Sequence, residues 1–77
     1  MSRVAYKGYI IEAEPRQLAD SSRWTVNIVI ERHEGGKVNS RPFSAADTFE
    51  TRDEALQHCV RFGQQIIDDQ VPGCTPP

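Results

Sequence analysis

The chain has 77 residues, of which 38% are hydrophobic and 26% charged, and its formal net charge is -2 at pH 7. A chain of this length supports one core, so we expect one domain over residues 1–71. The small net charge gives no overall attraction to nucleic acid or membrane, and no run approaches the ~20 apolar residues of a membrane span. The N-terminal residues lack the apolar stretch of a signal peptide, so we expect a cytoplasmic protein with no membrane partner.

The first segment, Val4–Glu14, predicts one β-strand because apolar and polar side chains alternate along it. Gly8 lies near its start, where we expect a bulge or a close approach of another backbone. The polar segment Pro15–Ser22 follows, and its proline cannot donate to a strand ladder. We interpret this segment as a connecting loop.

The segment Arg23–His33 is the most β-prone run in the chain and contains its only tryptophan. Its alternation predicts the central strand of a sheet, with one face buried against a core. The residues expected on the buried face are Trp24, Val26, Ile28 and Ile30.

Gly35 and Gly36 then predict a hairpin turn, because glycine adopts positive φ without a steric cost. The third strand is expected over Val38–Phe43. It contains Pro42, which is tolerated at a sheet edge and therefore indicates an outer strand. The following residues, Ser44–Phe49, are interpreted as a bridge to a helix.

Thr51 and Glu54 form a capping-box pattern at the start of an amphipathic helix. The helix has an uninterrupted apolar arc with Gly63 in its middle. A glycine at this position suggests that the helix approaches the sheet closely there, under Trp24. Pro72 ends the helix, and we expect residues 72–77 to be a disordered tail. The predicted class is α+β: a three-stranded antiparallel β-meander (β-β-β-α) packed on one C-terminal amphipathic helix.

No catalytic, cofactor or metal motif is present, so we do not expect an enzyme. His58 and Cys59 are adjacent, but neighbours on a helix point about 100° apart and do not readily hydrogen-bond. Cys59 and Cys74 are interpreted as free thiols, and they lack the paired ligand spacing of a zinc site.

A three-stranded sheet under one helix leaves its second face, and its edges, uncovered. We therefore favour a small binding module whose partner is another protein or a second copy of itself, as a homodimer. The alternative is a weak nucleic-acid-binding domain that uses this open face. Residues 1–45, which contain the predicted strands, carry seven Lys/Arg and five Asp/Glu, a net charge of +2, whereas residues 46–77 carry two Lys/Arg and six Asp/Glu, a net charge of -4. The sheet half is therefore the half that would attract a phosphate backbone. The candidate interaction residues are Ile10, Thr25, Asn27, Val29 and Arg41.

Two resemblances follow from spaced residues along the chain. Over Tyr6–Asp68 the chain resembles a family of short uncharacterised proteobacterial proteins. The residues that carry this resemblance are Tyr6-Lys7-Gly8, Trp24, Ile28, Phe43, the run from Phe49 to Ala55, and Ile66-Ile67-Asp68. Tyr-Lys-Gly, the tryptophan-led strand and the Phe-x-Thr-x-x-Glu-Ala opening of the helix also resemble the AP2-type DNA-binding domain. That second resemblance implies three strands and a helix, with a sheet face that enters the major groove through arginines and tryptophans. This chain departs from it, because its first strand carries Glu12 and Glu14 where the family has arginines.

Overall fold

The computed structural model describes residues 2–77. Five elements follow one another, and the four strands form one antiparallel sheet in the order β1-β2-β3-β4 with the helix packed on one of its faces. The α+β class and the C-terminal helix are therefore confirmed, but the sheet has four strands rather than three. The elements are β1 (Ser2–Tyr6), β2 (Tyr9–Ala13), β3 (Trp24–Glu34), β4 (Lys37–Phe49) and α1 (Arg52–Ile67).

The additional strand arises because Val4–Glu14 folds back on itself at Lys7 and Gly8. These two residues have φ of 47° and 84°, and Tyr6 pairs with Tyr9, as in a two-residue hairpin turn. Gly8 thus serves the turn, and a Cβ there would meet no atom within 4 Å, so the expected close approach is wrong. Lys7 adopts the left-handed conformation at a cost of about 1 kcal/mol.

The second hairpin lies where Gly35 and Gly36 predict it, with φ of 56° and 79° and with Glu34 paired to Lys37. β4 is longer than expected, because the predicted bridge Ser44–Phe49 continues the strand. The register shifts between Thr25 and Val26, which pair with Thr48 and Ala45, so Ala46 and Asp47 are extra residues on β4. β4 is an edge strand, which confirms the position inferred from Pro42.

The core lies between α1 and the two inner strands. β2 and β3 contribute five buried side chains, and α1 contributes three: Ile11, Ala13, Val26, Ile28, Ile30, Ala55, Cys59 and Ile66. Trp24 is only half-buried, although it was expected on the buried face with Val26, Ile28 and Ile30. The reason is that β2 ends at Ala13, opposite Ile28, so Trp24 lies beyond the fully covered part of the sheet.

Side chains hold both ends of α1. The amide of Glu54 donates to the Thr51 hydroxyl at 3.1 Å, which is the N-cap half of the predicted capping box. At the C-terminus the Asp68 carboxylate accepts from Lys7 Nζ at 2.5 Å and from the Tyr6 hydroxyl at 2.7 Å. These two bonds, the Lys7 bond first, lower the pKa of Asp68, and they tie the β1–β2 turn to the end of the helix.

Residues 72–77 form no helix or strand. Within this segment Cys74 packs against the core, and the carbonyl of Thr75 accepts from Arg41 Nη1 at 2.9 Å. The disorder that we expect for this tail stays a prediction.

Gly63 marks the closest approach of the helix to the sheet. A Cβ on Gly63 would lie 2.7 Å from Cγ2 of Ile11 and 2.9 Å from its Cγ1 and Cδ1 atoms. The close approach is confirmed, but Ile11 of β2 lies beneath the glycine rather than Trp24. Ile11 is fully buried and β-branched, so it has little freedom to move aside.

We expect Gly63→Ala to destabilise the protein, although alanine is the better helix former. The added methyl group overpacks the core at a cost of about 1–3 kcal/mol, which exceeds the ~1 kcal/mol gain in helix propensity. Urea unfolding measures the difference, with Gln57→Ala on the exposed side of α1 as the control. A variant more stable than the parent would contradict the contact with Ile11.

Candidate nucleic-acid interface

The face of the sheet that points away from α1, here called the outer face, can be assigned from the strand register. Paired residues lie on the same side of a sheet, and Ile11 and Ile30 lie on the helix side. Their neighbours in sequence therefore lie on the outer face, which contains four of the five candidate residues: Ile10, Thr25, Asn27 and Val29.

Arg41 does not lie on the outer face, and its expected placement there is wrong. It pairs with Ile30 and precedes the core-packed Phe43 by two residues, so its side chain starts from the helix side. The sequence contained the signal for this position. A two-residue turn at Gly35 and Gly36 pairs Glu34 with Lys37, and counting back along both strands pairs Ile30 with Arg41.

A cluster of charged side chains crosses the outer face. Arg3 Nη1 lies 2.6 Å from Glu12 Oε2, its Nη2 lies 3.3 Å from Glu31 Oε1, and His33 Nε2 lies 3.1 Å from the same Glu31 oxygen. One guanidinium on β1 thus connects carboxylates on β2 and β3. Ile10, next to Glu12 on this face, is only half-buried. This part of the outer face is therefore polar, and Arg3 already forms ion pairs with Glu12 and Glu31.

This cluster lowers the pKa of Glu31, first through the hydrogen bond with His33 and then through Arg3. A carboxyl group with a lowered folded-state pKa contributes stability above its unfolded-state pKa. That contribution is lost as the pH falls through the folded-state pKa. Glu31 therefore adds to stability at neutral pH and ceases to do so in acid.

A shallow hollow of about 310 Å³ lies beside this cluster, where β2 has ended and β3 and β4 continue. Asn27 Nδ2 donates to Thr25 Oγ1 at 2.5 Å within this region, and Arg16 lies 4.0 Å from Glu14 at the rim. The outer-face residues of its lining are Glu14, Asn27, Val29, Pro42 and Ser44. The hollow offers an amide, a hydroxyl and apolar surface, but its one cation is next to an acid.

A second concentration of positive charge lies in residues 32–41, which we call the ribbon tip. The last β2–β3 pair is Tyr9 with Arg32, so residues 33–38 have only each other as strand partners. All ten residues of the ribbon tip are exposed. It carries three cations, Arg32, Lys37 and Arg41, against one acid, Glu34, giving +2 in a chain of -2.

Arg32 Nε lies 3.5 Å from Glu34, and its guanidinium lies 5.9 Å from the centre of the Tyr9 ring. Within residues 2–77, neither Lys37 nor Arg41 is in an ion pair, although Arg41 donates to the Thr75 carbonyl. Sequence reasoning missed the ribbon tip because it counted charge over 45 residues. The local signal was three cations that flank a Gly-Gly turn.

The described part of the chain was also compared with the requirements of a metal site, a reactive thiol and a membrane-spanning helix. No group of three or more His, Cys, Asp or Glu residues there could hold a metal ion. Both cysteines are free thiols, and burial raises the pKa of Cys59, whose thiol contacts the Asn27 carbonyl at 3.6 Å. None of the helices described is long and apolar enough to cross a membrane.

We expect Arg3→Gln to raise the pKa of Glu31 toward its ordinary value and to reduce stability at neutral pH more than in acid. The reason is that the substitution removes one of the two groups that stabilise the Glu31 carboxylate. NMR titration of the Glu31 side chain measures the pKa, and thermal unfolding at both pH values measures the loss. Arg16→Gln, which removes a cation outside the cluster, is the control, and an unchanged pKa in Arg3→Gln would contradict the arrangement.

Comparison with known proteins yields one family. The profile of the family described as "Transcriptional activator HlyU" matches residues 1–73, a span that includes the whole of Tyr6–Asp68. Comparisons with curated proteins and with solved structures return no match. The family is described by a role in transcription and not by a reaction, in agreement with the absence of a catalytic motif. The chain belongs to the HlyU transcriptional activator family.

Proposed function

We propose that this chain is a DNA-binding transcriptional activator whose ribbon tip contacts the duplex. The family description supports a role in transcription, for which contact with DNA is the direct route. The observation that carries the proposal is the net charge of +2 on a fully exposed two-stranded ribbon in an otherwise acidic chain.

The shape of the ribbon tip suits the major groove of B-DNA, which admits a two-stranded β-ribbon. On its helix-side face, Arg32 is paired with Asn39, and Arg41 is two residues further along β4. Arginine makes bidentate contacts with guanine and asparagine makes them with adenine. This face therefore carries side chains that read base edges, and Lys37 at the turn is suited to a phosphate.

The charge distribution orients the molecule toward DNA. In α1 the acids Asp53 and Glu54 lie in the first turn, which follows the end of β4 opposite to the positive ribbon tip. Such a dipole steers the tip toward the phosphates while the net charge of -2 keeps nonspecific affinity low. We therefore expect binding that is weak on random sequence and strongly dependent on salt.

The outer face is the second candidate, with Ile10, Thr25, Asn27 and Val29 as its contact residues. The hollow beside Asn27 favours it, because the amide and the Ser44 hydroxyl face the same space. Its charge argues against it, since Arg3 is held by Glu12 and Glu31 and cannot meet a phosphate without losing those bonds. Lys37 of the ribbon tip forms no ion pair within residues 2–77, so it can contact a phosphate without losing one.

Self-association, through the outer face or a strand edge, is less well supported than DNA binding. The charged cluster covers part of the outer face. β4 is a long edge strand, but Pro42 in its middle has no N–H to donate to a second copy.

On a random-sequence duplex, which offers Arg41 no preferred base, we expect Arg41 as well as Lys37 to contact phosphates. Lys37→Ala and Arg41→Ala should then each weaken binding and reduce the slope of log affinity against log salt by about 0.9, the value for one lost phosphate contact. Fluorescence anisotropy over a series of salt concentrations measures both quantities. The control is Arg52→Ala, which removes an exposed cation at the first residue of α1 and leaves the ribbon tip intact. Equal slopes in all three variants would contradict the proposed contact.

An amide-shift titration with the same duplex at low salt identifies the surface. Shifts within residues 32–41 would support the ribbon tip as the surface that contacts DNA. Shifts centred on Thr25 and Asn27 would indicate that the outer face contacts DNA instead. An absence of shifts at low salt would refute direct DNA binding.

A further inference from the structure

A second surface lies at the opposite end of the sheet from the ribbon tip, between α1 and β4. The helix packs chiefly over β2 and β3 and touches β4 much less. Asp47, one of the two extra residues of β4, lines this gap. The result is an open groove, which we call the helix–β4 groove.

The floor of the helix–β4 groove is apolar and its rim is polar. Val26, Ala45, Phe49 and Phe62 form the floor, and Asp47, His58, Arg61 and Gln65 form the rim. A second cavity, lined by Gln57, His58 and Arg61, adjoins it along the helix. The two cavities measure about 90 and 190 Å³. They are smaller than the ~300–1,000 Å³ of sites that enclose a cofactor or metabolite, and their size suits individual side chains of a peptide.

The aromatic wall of the groove has a defined geometry. The imidazole of His58 stacks on the ring of Phe49, with centroids 4.1 Å apart and an interplanar angle of 19°. This pair joins α1 to the end of β4 and presents a flat surface beside the apolar floor. An aromatic or aliphatic side chain placed there would bury apolar surface that is now partly open.

Arg61 supplies the charge at the centre of the groove, because it lines both cavities. It is exposed, and no residue in the 2–77 range forms an ion pair or side-chain hydrogen bond with it. The acids nearest along the elements are Asp47, which lines the groove from β4, Glu54 in the first turn of α1, and the C-cap Asp68, which already accepts from Tyr6 and Lys7. A carboxylate from a partner is therefore expected against Arg61 and away from the N-terminal turn of the helix.

We propose that the helix–β4 groove binds an acidic peptide segment of a partner protein, with a hydrophobic side chain over Phe49 and Phe62 and a carboxylate on Arg61. The groove borders the Ala45–Phe49 end of β4, whereas the turn of the ribbon tip is at the Lys37 end of the same strand. One chain can then hold DNA at one end and a protein at the other. This arrangement would link a bound site on DNA to a second protein.

The test is a titration of the full chain, by amide shifts, with a short peptide that alternates aspartate and phenylalanine. Two control peptides replace aspartate with lysine or phenylalanine with serine. We expect the shifts to follow α1 and the end of β4 and the affinity to fall at least about tenfold in Arg61→Glu, which reverses the charge that meets the carboxylate. Lys37→Ala is the matched control and should bind the peptide as the parent does.

Equal binding of the parent and Arg61→Glu, or equal binding of the aspartate and lysine peptides, overturns the proposal. Shifts confined to residues 32–41 overturn it as well, because they would show attraction to the ribbon tip alone. Unfolding curves of Arg61→Glu identify any loss of folding, and Arg61→Gln, which removes the charge without reversing it, should give an intermediate affinity. The result is independent of DNA binding, since no residue of the ribbon tip lines the groove.

Discussion

The contact between Gly63 of α1 and Ile11 of β2 determines how the helix lies on the sheet. Because glycine has no Cβ, the helix approaches β2 until its backbone meets the Ile11 side chain. That approach places Cys59 and Ile66 against the buried residues of β2 and β3 and closes the core. It also leaves β4 at the side of the helix. The helix–β4 groove is a consequence of this one-sided packing, whereas the ribbon tip is exposed because β3 and β4 extend beyond the last residue pair of β2.

Strand register and helix position together give the three surfaces different charges. On the outer face, Arg3 bridges two carboxylates, so its charge is neutralised within the sheet. On the ribbon tip, Lys37 lies opposite Glu34, whose carboxylate pairs with Arg32, and no third strand of the described chain flanks the turn. In the groove, Arg61 lies among glutamines and aromatic rings and forms no ion pair with Asp47 on the β4 side. A chain with a net charge of -2 thereby presents two separate cationic positions.

Several features could be predicted because they depend on neighbours in sequence. The Gly35-Gly36 turn, the N-cap at Thr51 and the apolar arc of α1 are local patterns, and each is present in the structure. The turn at Lys7 and Gly8 has no such local pattern, because lysine is not typical of a left-handed position, and the sequence therefore predicts one strand where β1 and β2 form. The face of Arg41 could have been obtained from the turn register. Trp24 was misplaced because its burial depends on where β2 ends.

By itself the sequence determined the α+β class, the edge position of the proline-containing strand and the buried face of β3, since alternation, capping and glycine turns are short-range properties of the chain. Only the tertiary structure decided which charges remain available. Arg3, Glu12 and Glu31 are far apart in sequence and meet across three strands. Arg61 and Phe49 border one groove only because α1 packs over β2 and β3. Such long-range pairings depend on strand register, which the hairpin turns set, and on helix position, which the packing of Ile11 beneath Gly63 sets.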